Sequence, residues 1–531
     1  MYDLVVANAL LVDGTGSKPV TGGIAAKDGR IVAMGPGVTH ADPAQKTIDA
    51  GGLAVAPGFI DLHSHSDAEF LANERLEAKL LQGITLEVTG QCGLSLVPTA
   101  PETLDTHLSY FHTQFTASQL DALDWKTMRG IADYARRAAA LPHTINAAPL
   151  IGHVALRNAV MGFRGSAPSA AEQERMEAIL DENLAAGAWG MSLGLVYPPG
   201  SFAALPELVG LAKVIARHDA LIHVHMRNEG AYLFEAVQEM LSLAEQSGAH
   251  IHISHLKLMG TSQWGRAPEL LSVIDAARRK GAHITADQYP YIGSSTGLSV
   301  LVPNWAMEGG IPALMWRLAS PERGKVLAGM AQEIERRGGP GAVMSTSNGR
   351  YPEYDFCRID ELAAREGVSP AEMVARLLEK TDAEAKAVYF SMDQGDVLRI
   401  MEADFVAVGT DGYAFNFDQA KGAQHPRSFG TFPRFLRTAL DENLMPLEKA
   451  VWKMTGLAAS FMGFADRGTL APGKVADLVI FAPDRIRDTA TFENPFQKPE
   501  GIAAIIVEGR VTAEDNALTN ARAGSLRLRK F

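Results

Sequence analysis

Cysteine is scarce in this 531-residue chain, where only Cys92 and Cys357 occur. Two cysteines cannot provide the disulfide framework of a secreted scaffold, so a reducing compartment, the cytoplasm, is the simplest expectation. The first residues lack a basic segment and Asp3 interrupts their apolar run, so no signal peptide is predicted. Apolar runs of about 18 residues, which a membrane span requires, are also missing.

Positive charge is in deficit as well, with a formal net charge of −12. Because neutralising a phosphate backbone needs surplus lysine and arginine, no nucleic-acid partner is expected. A weak basic cluster near the end, Arg522, Arg527, Arg529 and Lys530, is predicted to be a solvated tail. A content of 47% hydrophobic and 21% charged residues describes a globular protein with room for one large catalytic domain and a smaller one.

Short β-branched runs separated by glycine turns occupy both ends of the chain. The runs are residues 4–6, 10–12, 23–26 and 30–34 at one end and 476–481 and 502–507 at the other. Gly509 is predicted to lie in a hairpin turn. We therefore expect residues 1–58 plus 465–531 to form a small discontinuous β-sandwich domain.

Strand and helix patterns alternate between these ends. The strand candidates are residues 59–62, 85–89, 146–151, 189–193, 221–224, 251–254, 283–286 and 405–409. Amphipathic helices with apolar residues at i, i+3 and i+4 are predicted at 171–186, 206–217, 233–247 and 267–279. This alternation predicts the α/β class and a distorted (β/α)8 TIM barrel over 59–464. An open doubly wound sheet is the alternative, but no G-x-G-x-x-G follows the first strand.

Residues 296–343 interrupt this alternation between the seventh and eighth strand candidates. Their content of proline, glycine and tryptophan favours an inserted lid over a pair of helices. Insertions of this kind often carry function.

Histidines follow three of the predicted strands. His63 and His65 end the first strand at i and i+2, so their imidazoles point the same way and suit a metal. A lone His-x-His is equally compatible with loop histidines, but His225 and His255 end two further strands. His223 competes with His225, and His250 and His252 compete with His255. Position at the strand end favours His225 and His255, because barrel enzymes carry their reactive groups there.

Two further residues gain meaning from this set. Cys92 follows the second strand between Gly90 and Gly93, and Asp411 follows the eighth strand. Alone, such a cysteine is a small buried apolar residue and an Asp-Gly pair is a turn. Beside three histidine-bearing strand ends they are predicted to be a metal ligand and a general base.

The residues also carry a resemblance. The matching segments include PGFIDLHSHSD at 57–67, GITLEVTGQCGLS at 83–95, GAWGMSLGLVYPPG at 187–200, DQYPY at 287–291, HPRSFGTFPR at 425–434 and GKVADLVIF at 473–481. Over nearly its whole length the chain resembles the N-acyl-D-amino-acid deacylases, or D-aminoacylases, of the amidohydrolase superfamily. The resemblance implies a zinc-dependent hydrolase that converts a small-molecule N-acyl-D-amino acid into a carboxylate, such as acetate, and a free D-amino acid.

The resemblance also implies roles for single residues. Cys92, His225 and His255 match a tightly held zinc site, while His63 and His65 match a weaker second site near Asp411, the catalytic acid/base. The residues matched to binding of the substrate carboxylate are Lys257, Tyr289, Ser294 (or Ser295) and Arg427. A cationic pair with a tyrosine hydroxyl suits a carboxylate, which arginine can bind bidentately. Gln91 and Thr410 replace the asparagine and serine common in relatives, which leaves the ligands intact.

Two alternatives remain at this point. A cyclic amidase of the hydantoinase or dihydropyrimidinase type shares the fold, but it would present a bridging lysine near the fourth strand, and residues 190–197 contain none. A metal-binding scaffold without activity is the non-enzymatic alternative, against which the intact set of histidines and Asp411 argues. Selectivity for D over L substrates rests on the resemblance alone, and no feature predicts an oligomeric state.

Overall fold

A computed structural model describes residues 1–113, 123–346, 350–419 and 422–530. Among these residues, eight parallel strands follow one another around a barrel. They are Phe59–Asp61, Ile84–Thr89, Asn146–Pro149 continued by Ile151–Gly152, Gly190–Gly194, Leu221–His225, His250–Ile253, Ile284–Gln288 and Val406–Val408. Each pairs in parallel with the next.

The barrel closes between its eighth and first strands. Leu62 N donates to Val408 O at 3.4 Å, and Ser64 forms a parallel bridge with Gly412. The predicted (β/α)8 barrel is therefore confirmed, and the carboxyl ends of all its strands meet at one mouth.

The four predicted helices are present at Ala170–Ala185, Leu205–Arg217, Leu233–Ser247 and Ala267–Arg279. The first begins at Ser169, whose hydroxyl accepts from Glu172 N in a capping box. Its buried Met176, Leu180 and Leu184 recur every four residues, which places them on one face. Other α-helices are Glu69–Ala72, Glu77–Leu80, Leu104–Phe111, Ile131–Ala138, His153–Met161, Ile359–Glu366, Pro370–Lys380, Gln394–Glu402, Arg427–Asp441, Leu447–Met454 and Gly456–Met462.

Short 3-10 turns connect these elements. They are Pro101–Thr103, Trp125–Thr127, Gly200–Phe202, Thr261–Gln263, Leu298–Leu301, Pro340–Ala342 and Pro352–Tyr354. No helix in the described ranges is both long and apolar enough to traverse a bilayer.

A long excursion separates the seventh and eighth barrel strands. Its strands Gly293–Gly297 and Val343–Thr346 both pair antiparallel with Lys386–Phe390. Residues 296–343 contain the helices Asn304–Met307, Gly310–Leu318 and Arg323–Arg336. The expectation that this stretch is not a pair of helices was therefore wrong, because Gly310–Leu318 and Arg323–Arg336 are both helical in spite of the proline and glycine content. Its role as a lid stays a prediction.

Strands from both ends of the chain share one sheet. In spatial order these are Ala517–Leu518, Arg510–Glu514, Ile502–Val507, Leu478–Phe481, Ala54–Pro57, Tyr2–Leu11, Val20–Lys27 and Arg30–Gly35, with Ala44–Asp49 paired to Tyr2–Leu11. The separation of residues 4–6 from 10–12 was wrong: they belong to one strand, because a bulge between Val6 and Ala9 bends it without ending it. Gly509 does lie in a two-residue hairpin turn, after Val507 and before Arg510.

The prediction of a solvated basic tail was also wrong. The final residues run along the barrel, where Arg527 N donates to Ala147 O at 2.7 Å and Arg529 N donates to Gly187 O at 2.8 Å. Trp189 Nε1 donates to Arg527 O at 2.6 Å. The charge pattern misled because backbone groups, which carry no sequence signal, make most of these contacts.

Deletion of residues 520–531 should destabilise the fold. The deletion removes four backbone hydrogen bonds to the barrel, those of Gly524, Ser525, Arg527 and Arg529. At ~1 kcal/mol net for each bond, the free energy of unfolding should fall by about 3–5 kcal/mol. Urea unfolding measures the change, and Lys530→Ala, at an exposed position, serves as the control. Equal stability of the truncated and full-length proteins would contradict the structural role of the tail.

Candidate active site

Tight turns at the barrel mouth set the direction of the candidate side chains. Cys92, His255 and Asp411 each follow a barrel strand with positive φ, at 54°, 39° and 49°. Residues other than glycine rarely adopt this backbone conformation, and those that do cluster at functional sites. Gly194 has to be a glycine beside them, because a Cβ there would lie 1.9 Å from Cys92 O.

Four donor groups converge at this mouth. Cys92 Sγ lies 3.3 Å from His63 Nε2 and 3.5 Å from His255 Nε2, and His63 Nε2 lies 3.4 Å from Asp411 Oδ1. All four residues are buried, with ligand atoms within 4.8 Å of one another. A tetrahedral zinc ion separates sulfur and nitrogen ligands by ~3.6 Å, given Zn–S and Zn–N bonds of about 2.3 and 2.1 Å. The spacing of the donors fits zinc.

His225 lies next to His255. The two imidazole centroids are 4.4 Å apart, and His225, Glu229 and His255 form a second group of possible ligands. His225 Nδ1 is buried without a hydrogen-bond partner among the described residues. Since His255 belongs to both groups and His63 lies next to Cys92, the two predicted metal sites are not spatially separate sets.

The protonation states of these groups also suit a cation. Burial raises the pKa of the Cys92 thiol well above its ordinary value, so a thiolate there needs a positive charge beside it. Burial lowers the pKa of His225 well below its ordinary value, which keeps the imidazole neutral. Neutral imidazoles and a thiolate are the forms that bind metal.

Asp411 connects the histidines to the candidate substrate-binding arginine. Its Oδ1 lies 3.0 Å from His65 Nε2, and its Oδ2 lies 2.8 Å from Arg427 Nη1. Burial alone would raise the pKa of this carboxyl. The Arg427 guanidinium and the neighbouring His255 and His63 lower the pKa by more than burial raises it, so it lies well below its ordinary value. Asp411 is therefore ionised, which is the protonation state that a general base requires.

The predicted carboxylate-binding residues lie beside Asp411. Arg427 is buried, and its guanidinium lies 4.9 Å from the centre of the Tyr289 ring. Lys257 Nζ lies 5.7 Å from the same ring. Arg427 Nη2 donates to Ser295 O at 2.9 Å, so of the two serines considered it is Ser295 that contacts the arginine, through its backbone. Ser294 lies on the neighbouring strand position, opposite Tyr389.

Comparison with known proteins places this geometry in a family. The profile of the amidohydrolase family matches residues 46–513, which is most of the chain. The chain belongs to the amidohydrolase family.

Relatives of this amidohydrolase define its branch. In Alcaligenes xylosoxydans xylosoxydans, an N-acyl-D-aspartate deacylase is 36% identical, with 96% of this chain and 91% of the relative covered. A D-aminoacylase is 34% identical over 98% and 97%, and an N-acyl-D-glutamate deacylase is 37% identical over 96% and 93%. The predicted family is confirmed, and the chain is a hydrolase of the D-aminoacylase branch.

Solved structures agree with this assignment. An N-acyl-D-glutamate deacylase from Bordetella bronchiseptica, complexed with zinc and a phosphonate inhibitor, matches with a TM-score of 0.84 at 34% identity over 99% of this chain and all of the other. An L-hydantoinase from Arthrobacter aurescens matches over the full length of both chains with a TM-score of 0.56 at 17% identity. That likeness concerns the fold alone.

Two buried carboxylates of the amidohydrolase escaped the sequence reasoning. Glu229 Oε1 lies 2.9 Å from His255 Nδ1 and 2.6 Å from Lys257 Nζ. Asp287 accepts from His255 N at 2.8 Å, and its other oxygen lies 3.4 Å from His63 Nδ1. Carboxylates in such positions fix the orientation of ligating imidazoles. The available signals were the spacing of Glu229 four residues after His225 and the first letter of the DQYPY segment.

The competing histidines lie deeper in the barrel. His252 Nε2 contacts Asp287 Oδ2 at 3.0 Å, and His223 Nδ1 contacts Gln91 Nε2 at 3.2 Å. Both are fully buried and lie within their strands, below the mouth. His223, His252 and Asp287 form a third group of possible ligands, so the choice of the strand-end residues His225 and His255 stays a prediction.

A cavity of about 440 Å³ opens beside the donor groups. His225 and Glu229 line it on the barrel side, and Val300, Val302 and Trp305 line it from the excursion. Nearly half of the residues that line the cavity belong to residues 296–343, so the excursion shapes the space available to a substrate.

Proposed function

We propose that this amidohydrolase is a zinc-dependent N-acyl-D-amino-acid deacylase. It would hydrolyse the amide bond of a small-molecule substrate to a carboxylate, such as acetate, and a free D-amino acid. The observation that carries the proposal is the convergence of Cys92, His63 and His255 with the Asp411–Arg427 pair at one mouth.

Cys92, His225 and His255 would hold the tightly bound zinc ion, with His63 and His65 serving a weaker second site beside Asp411. Zinc, when bound, supplies Lewis acidity that polarises the substrate carbonyl and makes water more acidic. Glu229 and Asp287 hold the His255 imidazole and backbone in place by the contacts described above.

The residues around Asp411 account for the remaining chemistry. Arg427, Tyr289 and Lys257 would bind the α-carboxylate, with Ser294 or Ser295 beside it. Since Arg427 and Asp411 are 2.8 Å apart, a carboxylate held by Arg427 places the amide bond within reach of Asp411. Asp411 takes a proton from a water molecule as the oxygen of that water bonds to the substrate carbonyl carbon. Asp411 then returns the proton to the amide nitrogen as the C–N bond breaks.

A panel of N-acetyl-D- and N-acetyl-L-amino acids, incubated with zinc-reconstituted protein, tests the proposal by release of free amine. We expect release from D substrates and loss of that release with a chelator. Hydrolytic opening of a hydantoin ring, without amine release from any N-acetyl amino acid, would favour the cyclic amidase instead. Zinc binding without hydrolysis of any substrate in the panel would favour the metal-binding scaffold without activity.

The cellular setting belongs to the same proposal. Cys92 and Cys357 are both free thiols, which supports a reducing compartment such as the cytoplasm. The net charge of −12 supports a small-molecule partner over a nucleic acid.

Arg427→Met should raise KM strongly for acylated amino acids but little for an uncharged amide of similar size. Loss of a hydrogen-bonded charge pair costs about 1.5–3 kcal/mol, which corresponds to ~10–150-fold in KM. Steady-state kinetics on the two substrates measures the difference. Arg434→Met is a matched control, because Arg434 lies on the same helix and pairs with Asp488 instead. Equal effects of Arg427→Met on both substrates would count against carboxylate binding.

A further inference from the structure

A lysine with no part in the chemistry above lies buried behind the mouth. Lys79 is fully inaccessible, and its Nζ donates to Asp61 Oδ2 at 2.8 Å, to Thr410 Oγ1 at 2.6 Å and to Gly412 O at 3.1 Å. Removing an ammonium and a carboxylate from water costs several kcal/mol, which their mutual attraction often fails to repay. Fold stability is therefore a weak explanation for this pair.

The partner carboxylate joins the two strands that close the barrel. Asp61 ends the first strand, and its Oδ1 accepts from His63 N at 3.1 Å and from Thr410 N at 2.8 Å. Thr410 Oγ1 donates to Asp61 Oδ2 at 2.7 Å and accepts from Gly412 N at 3.1 Å. The network thus forms hydrogen bonds to the backbone N–H of His63 and to those of Thr410 and Gly412, on the two sides of Asp411.

Backbone hydrogen bonds also join the segments that follow the first and eighth barrel strands. Asp411 N donates to His63 O at 2.8 Å and His65 N donates to Gly412 O at 3.0 Å. Asp411 itself has the unfavourable φ of +49°. A residue in that conformation persists only when its surroundings over-determine it.

We propose that Asp61, Lys79 and Thr410 are positioning residues that fix the Asp411 carboxylate relative to His63 and His65. The proposal rests on the proposed function, in which Asp411 is the acid/base. Lys79 contacts the turn at residues 410–412 through hydrogen bonds to Thr410 and Gly412. It would therefore act by fixing the position of the Asp411 carboxylate, without touching the substrate. Arg427 and Tyr289 make none of these contacts themselves, and Arg427 is linked to the network through Asp411, so binding of the substrate carboxylate should change less than turnover.

Thr410→Val tests the proposal with the smallest change, because it removes the hydroxyl and keeps the shape. We expect kcat to fall by about 100-fold, the effect of a misplacement near 1 Å, with KM close to that of the unsubstituted protein. Thr410→Ser, which keeps the hydroxyl, should recover most of the turnover. Unchanged kcat in Thr410→Val would overturn the proposal.

Thr381→Val is the matched control. Thr381 is also buried, and its hydroxyl donates to Leu377 O at 2.7 Å and accepts from Ala385 N at 3.1 Å, away from the mouth. Thermal unfolding should respond similarly in both valine variants, while kcat should fall only in Thr410→Val. An equal loss of kcat in the two would reduce the network to a structural role.

Release of bound zinc to a chelator gives a readout independent of hydrolysis. Thr410→Val should lose the zinc ion of the weaker second site faster than Thr381→Val, because His63 and His65, which would hold that ion, lie on the segment fixed by the hydrogen bonds of Asp61 and Thr410. If the unsubstituted protein hydrolyses no member of the substrate panel, the proposed function fails, and this comparison still decides the positioning role. Equal rates of zinc loss would then overturn it.

Discussion

Asp411→Asn should remove most turnover while zinc content stays close to that of the unsubstituted protein. The substitution keeps the size of the side chain but abolishes the basic oxygen that lies 3.0 Å from His65 Nε2 and the charge that pairs with Arg427. Loss of general acid–base catalysis costs about 10²–10⁴-fold in rate. Amine release and elemental analysis for zinc, measured on the same sample, provide the two quantities.

The chain contains a matched control for this variant. Asp477 and Arg467 form another buried carboxylate–guanidinium pair, also at 2.8 Å. This pair lies next to the sheet built from both ends of the chain, away from the mouth. Asp477→Asn should therefore change stability without changing kcat. High residual turnover in Asp411→Asn would refute its role as the acid/base, and zinc loss in parallel with activity would make Asp411 a ligand first.

Cys92→Ala should abolish tight zinc binding and, with it, hydrolysis. The thiol sulfur lies between His63 Nε2 and His255 Nε2 at 3.3 and 3.5 Å, so its removal deletes the soft donor at the centre of the group. If about 10–16 kcal/mol of zinc binding is shared among three or four ligands, one ligand contributes roughly 2.5–5 kcal/mol, or ~70–5000-fold in Kd. Competition with a chromogenic chelator measures the change.

Cys357→Ala provides the comparison, because Cys357 is half-buried away from the mouth and its thiol donates to backbone carbonyls, such as Asp355 O at 3.5 Å. This variant should bind zinc and turn over like the unsubstituted protein. Tight zinc binding in Cys92→Ala would exclude the thiolate from the metal site and leave the imidazoles and Asp411 to hold the ion.

The amino-acid sequence by itself determined the barrel and the composition of its mouth. Helices 233–247 and 267–279 were predicted at their observed bounds, because a 3.6-residue apolar period reports the buried face directly. Parallel strands of a barrel end at one rim, so residues such as His225, His255 and Asp411 could be brought together without any contact information.

Only the tertiary structure decided which of these residues touch. The proximity of His63 to Cys92, the carboxylates of Glu229 and Asp287 around His255, and the Asp61–Lys79 pair all depend on barrel register and on left-handed turns at the rim. The contact of the final residues with the barrel depends on backbone hydrogen bonds. These features leave no periodic pattern, because side-chain pairing across distant strands and backbone pairing of a tail are set by three-dimensional closure and not by the local order of residues.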